Sequence, residues 1–129
     1  MKDYKKYFTI SEEPEIIFKA LTTDITIQLW TGQEAIMIAE PNTEFEIFGG
    51  DICGMNLEFK QNKLIVQEWY FGEPEHPSIV TIKLHPHKKG TSIELTHTNI
   101  PEEAYENIVH GWNNDYFGAL IDFYSEVED

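Results

Sequence analysis

The sequence predicts an α+β fold. A curved antiparallel sheet of about six or seven strands wraps a long C-terminal helix, and two short helices follow the first strand. Three observations predict it. Short runs rich in β-branched and aromatic residues recur between residues 34 and 99, separated by turn signals such as "QNK" and "PHKKGT". Short connections of this kind join antiparallel strands, and a sheet of that length tends to curl. The segment "IVHGWNNDYFGALIDFY" (108–124) has a helical period but is apolar around much of its circumference, so it needs cover on several sides.

The elements follow in order. "YKKYFTI" (4–10) is an aromatic and β-branched strand. In "SEEPEIIFKAL", Pro14 suits a first helical turn with acids around it, and Ile16, Ile17, Ala20 and Leu21 form an apolar stripe. "TTDITIQLW" (22–30) restarts as a second short helix. Thr23 is placed to cap it, and Ile25, Leu29 and Trp30 are placed inward. Strands are then expected at "EAIMIA" (34–39), "EFEIF" (44–48), "ICGMNLEFK" (52–60), "LIVQEWYF" (64–71), "SIVTIKLH" (78–85) and "SIELTHTN" (92–99). Pro101, Glu102 and Glu103 open the last helix. At about 1.5 Å per residue it spans roughly 35–40 Å, enough to cross the sheet. Around Trp112 its wheel gathers Tyr105, Ile108, Val109, Tyr116, Ala119, Leu120 and Phe123, with Phe117, Ile121 and Tyr124 further round. Gly111 and Gly118 leave places where another backbone or a bound molecule can come close.

Alternation assigns the strand faces. Ile93, Leu95, His97 and Asn99 share one face of their strand; Ile65, Gln67, Trp69 and Phe71 share one face of theirs. Both sets are expected inward, because the opposite choice buries Glu94 or Glu68. A sheet face bearing Gln67, Trp69, Phe71, Leu95, His97 and Asn99 beneath Trp112 and Tyr116 is mostly apolar with a few convergent polar groups. That is the character of a small-molecule cavity.

Composition narrows the function. The 129 residues suffice for one domain, residues 1–129, burying roughly two-thirds of the unfolded surface. Twenty-three acids oppose nine bases, all lysine, for a net charge of −14. Phosphate binding wants clustered cations and base readout favours arginine forks, so nucleic acid and anionic membranes are poor partners. A basic protein surface is compatible with this charge. Cys53 is the only cysteine, and "KDYKK" follows Met1 with no apolar stretch, so a cytoplasmic, reducing setting is expected. Many Lys, Ile, Asn and Glu without arginine fit an AT-rich bacterial genome.

Signatures of cofactor or metal chemistry are lacking. "GGDICG" joins strands and no helix follows it, so it is not a phosphate cradle. "HPH" (85–87) sets two imidazoles on one face without an evident third ligand, and His76 lies in a loop. No cofactor and no metal are expected. His97 is either a hydrogen-bonded core histidine, a polar anchor for a ligand or, less simply, a general acid–base. Glu58 and Glu68 are expected to face outward, and Cys53, with no activating base in view, to be a buried or edge thiol.

"PEIIFKALTTDITIQLW", "GTSIELTHT" and "HGWNNDYFGALIDFY" resemble the activator-of-heat-shock-protein-90-ATPase C-terminal-like family, within the START-like (SRPBCC) superfamily. The resemblance implies a helix-grip fold with a cavity between sheet and helix, and places Trp69, His97 and Trp112 at that cavity. It implies three functions. The first is a non-catalytic domain holding a small hydrophobic or amphipathic ligand. The second is a chaperone-associated stress-response protein, and the third is a cyclase- or hydrolase-like enzyme using His97. The eukaryotic activators carry a second, N-terminal domain for which 129 residues leave no room. The broad helix face is compatible with a monomer or a homodimer.

Overall fold

A computed structural model describes residues 1–71 and 77–125. The elements run β1 (Lys2–Ile10), α1 (Pro14–Thr22), α2 (Asp24–Thr31), β2 (Thr43–Ile47), β3 (Ile52–Lys60), β4 (Leu64–Trp69), β5 (Ser78–His87) and β6 (Gly90–Ile100). A C-terminal helical rod follows. It opens as a 3₁₀ turn (Glu102–Ala104), continues as α3 (Tyr105–His110), widens into a π segment (Gly111–Tyr116) and closes as α4 (Phe117–Ser125). The sheet order is β1-β6-β5-β4-β3-β2, antiparallel throughout. The loop expected around His76 falls outside the described residues.

The helices cover one sheet face. Alternation sends Phe45, Ile65, Val80, Ile82, Leu84, Ile93 and Leu95 into the core, where Ile17, Leu21, Phe117 and Leu120 meet them. Burying a side chain of this size contributes about 1.5–3 kcal/mol. No described helix is long and apolar enough to cross a membrane.

Several expectations change. Residues 34–39 make no strand; only Ile36 bridges, to Glu46. Their alternation is real, since Ala35 and Met37 are buried while Ile36 and Ile38 are half exposed, but the β2 edge is met at a single point. The sheet therefore has six strands. In α2 the inward pair is Ile27 and Trp30, not Ile25 and Leu29, which are 66% and 64% exposed. The Trp30 indole decides this: its Nε1 donates to the Ala20 carbonyl at 2.9 Å, and its ring meets Tyr116 edge-on. Thr23 occupies the cap position of α2 without a side-chain cap bond.

Asn99 also turns away from the core. It adopts a left-handed backbone (φ 59°), and the β1–β6 register skips between Lys2↔Ile100 and Tyr4↔His97. Thr98 and Asn99 together oppose Asp3, which makes a β-bulge. Ile100 takes the buried place instead, and Asn99 Nδ2 donates to the Pro77 carbonyl at 3.0 Å.

The glycines of the helical rod have different causes. A Cβ on Gly118 would lie 2.4 Å from the Asn113 carbonyl oxygen, five residues earlier, so the wide π turn closes only over a hydrogen. A Cβ on Gly111 would meet nothing within 4 Å. The extra residue in the turn also rotates the helix face. Phe117, placed off the central stripe by a regular wheel, is completely buried and packs on Phe8 at 4.6 Å between ring centroids.

Candidate functional site

One row of the sheet ladder crosses five strands as Asn56, Gln67, Val80, His97 and Tyr4. Three of these are polar and fully or almost fully buried: Asn56, Gln67 and His97. A buried polar group costs free energy unless it is bonded, and all of them are. No buried side-chain nitrogen or oxygen among the described residues is left unsatisfied.

Two indoles organise these bonds. Trp69 on β4 and Trp112 on the π segment stack with centroids 4.7 Å apart. Each donates into its own polar chain. Trp69 Nε1 donates to Gln67 Oε1 at 3.0 Å, and Gln67 Nε2 donates to Asn56 Oδ1 at 2.9 Å. Asn56 Nδ2 in turn donates to the Ile38 carbonyl and to Thr43 Oγ1, tying the irregular 34–39 segment to the core.

Trp112 Nε1 donates to His97 Nδ1 at 3.0 Å. An indole can only donate, so Nδ1 is an acceptor and the imidazole proton sits on Nε2. Nε2 then donates to Ser78 Oγ at 2.8 Å, and Ser78 Oγ donates to the Thr98 carbonyl at 3.2 Å. Both ring nitrogens are committed. Burial lowers the His97 pKa from its ordinary value of 6.5 to about 4, with Asp3 opposing the shift more weakly. His97 is a neutral structural histidine at physiological pH, with no lone pair free to take a substrate proton.

The space between sheet and rod is therefore filled. What remains is a cleft of about 460 Å³ where the rod passes α2 and the β2–β3 turn. Its buried floor is Trp69, Trp112 and Tyr116. Its half-buried walls are Phe48, Ile52, Ile108 and Ala119, with Gly111 between them. Exposed Gln33, Asp51, Asn107, Asn114 and Asp115 form the rim. The open space found over Gly111 is this cleft. Burial pushes the Tyr116 phenol pKa well up, so its hydroxyl stays a neutral hydrogen-bonding group.

Of the eight residues assigned from sequence, the cleft takes Trp69, Trp112 and Tyr116. Gln67, Leu95 and His97 are buried behind the indole stack, which seals them from it. Phe71 is half buried with its ring 6.1 Å from His97, and Asn99 is carried outward by the bulge. Sequence reasoning missed Asn56 and Ser78, the partners that satisfy Gln67 and His97. Alternation along β3 and β5 was the available signal for both. Phe48, Ile108 and the rim aspartates come together only in the tertiary structure.

Elsewhere, His85 Nε2 contacts Glu94 Oε1 at 3.1 Å, and His87 Nδ1 accepts the Lys89 amide, so the "HPH" imidazoles have separate partners. No cluster of metal-ligating side chains occurs among the described residues.

A family model described as Activator of Hsp90 ATPase homolog 1-like protein matches residues 12–120. The human Activator of 90 kDa heat shock protein ATPase homolog 1 is 26% identical over 114 residues, 87% of this chain and 34% of that protein. The chain thus spans about one third of the length of the curated relatives it matches. Among solved structures, an HSP90 activator from Plasmodium falciparum aligns with TM-score 0.81 and 24% identity, over 90% of this chain and 91% of that one. A protein from Mesorhizobium loti aligns with TM-score 0.84 and 21% identity, over 99% and 100% of the two chains. These likenesses are of fold, and the fold is the helix-grip architecture.

Proposed function

The chain belongs to the Activator of Hsp90 ATPase homolog 1-like protein family, and from that premise we propose that it is a binding module whose cleft takes one small, mostly apolar molecule. The observation that carries this reading is the π segment. Gly111 sits at its start with open space above it, flanked by Trp112, Tyr116 and Ile108, and the space is the cleft. π turns are costly irregularities that recur at functional sites. A volume of about 460 Å³ suits a small aromatic or short-chain ligand. Trp112 and Tyr116 supply apolar aromatic contact, and the rim amides supply orientation.

Tryptophan fluorescence tests this, since Trp69 and Trp112 form the floor. Titration with 4-phenylbutanol should quench or shift the emission of the wild type and leave Gly111→Leu unresponsive. Equal response in both proteins refutes the site.

A second reading is supported by the names of the relatives: association with a chaperone ATPase through the acidic exterior, whose net charge is −14. Electrostatic docking of that kind weakens with salt. Steady-state ATP hydrolysis by a purified 90 kDa heat-shock chaperone, with and without the chain, tests it. A rate unchanged at low salt contradicts it.

A further inference from the structure

Resting on the cleft reading above, we propose that the cleft selects cations: its preferred occupant is an amphipathic amine or quaternary ammonium with an apolar body. The cleft brings together two features that recognise such a molecule. Its floor and walls are lined by the rings of Trp112, Tyr116 and Phe48, and aromatic rings within reach of a cation attract it. Its rim carries two carboxylates, Asp51 and Asp115, and no lysine. Among the described residues Glu94 alone has a basic side chain within ion-pair distance, Lys5 and His85, so no described cation pairs with either rim aspartate. The two arise from separate elements. Asp51 ends the turn that follows β2, and Asp115 lies within the π segment, one residue before Tyr116. An ammonium at the rim meets fixed negative charge while its apolar body lies on the floor. An anion of the same shape meets repulsion, and a neutral molecule meets neither.

The test uses three probes with one apolar body: 4-phenylbutylamine, 4-phenylbutanol and 4-phenylbutyrate. Each is titrated at pH 7 into the full chain and into Asp51→Asn/Asp115→Asn, with calorimetry for affinity and the Trp112 indole N–H resonance for location. The wild type is expected to bind the amine at least tenfold more tightly than the alcohol, and the butyrate more weakly than either. The preference for the amine over the alcohol should fall at least fivefold in the double variant.

If alcohol and amine bind equally at the Trp112 resonance, cation selection is overturned while the cleft reading stands. If the amine preference survives in the double variant, it comes from the general acidity of the chain, and the assignment to Asp51 and Asp115 fails. If no probe moves the Trp112 resonance, the cleft reading falls and the inference with it.

Discussion

Lowering the pH from 7 to 5 should cost the fold about 2 kcal/mol through His97 alone. Its pKa is about 4 in the fold against the ordinary 6.5. Burial is the main cause, and the bonding leaves no way out. A proton on Nδ1 would point at the Trp112 N–H, which is itself a donor. Between these two values the unfolded chain binds a proton that the fold does not. The stability is fully present above about pH 6.5 and is lost as the pH falls through about 4. A shift of this size is worth roughly 3 kcal/mol in all, and integration from pH 7 to 5 gives about 2 kcal/mol. The perturbation that isolates it is His97→Asn. The Asn carbonyl can take the place of Nδ1 as acceptor for Trp112, but it does not titrate. The variant should lose about 1–3 kcal/mol at pH 7, because Ser78 loses its donor. Urea unfolding of both proteins at pH 7 and pH 5 is the assay. The wild type should lose about 2 kcal/mol more than the variant over that interval. Equal losses would refute the neutral, doubly bonded His97.

Other perturbations separate packing from bonding. Gly118→Ala should destabilise by about 1–3 kcal/mol in thermal or urea unfolding, because its methyl meets the Asn113 carbonyl; an exposed helical glycine would give the opposite sign by about 1 kcal/mol. Asn56→Leu should cost about 2–4 kcal/mol despite its similar size, since Gln67, the Ile38 carbonyl and Thr43 all lose a partner. Trp112→Phe removes the donor on Nδ1, so the His97 ring resonances should titrate at a higher pH than in the wild type. An unchanged titration would remove Trp112 from the argument.

Much of the fold was legible because its signals are local and repeat. β4 and β6 alternate cleanly, and burial follows that alternation from Ile65 to Trp69 and from Ile93 to His97. The hairpin at Asn62 and the helix starting at Pro14 carry their usual residues. The misses are one-residue events or tertiary decisions. A bulge at Asn99 reverses a face without disturbing the hydrophobic pattern before it. One extra residue in the π turn moves Phe117 onto the core side. In α2 the pairs Ile25/Leu29 and Ile27/Trp30 are both apolar at helical spacing, and only the bond from Trp30 to Ala20 chooses between them. The face on which a side chain lies does not by itself tell a cleft from a filled core. The stack of Trp69 on Trp112 makes that distinction, and it depends on two segments far apart in sequence.

The measurement that tests the central claim most directly is native mass spectrometry of the wild type and Gly111→Leu, each purified from its own host and compared with the same sample denatured. A Cβ at position 111 meets no atom within 4 Å, so a leucine there has room to start and occupies part of the cleft that Gly111 leaves open. The account predicts a small non-covalent adduct on the wild type, lost on denaturation and absent from the variant. Bare masses for both proteins, or the same adduct on both, would contradict a ligand site at Gly111.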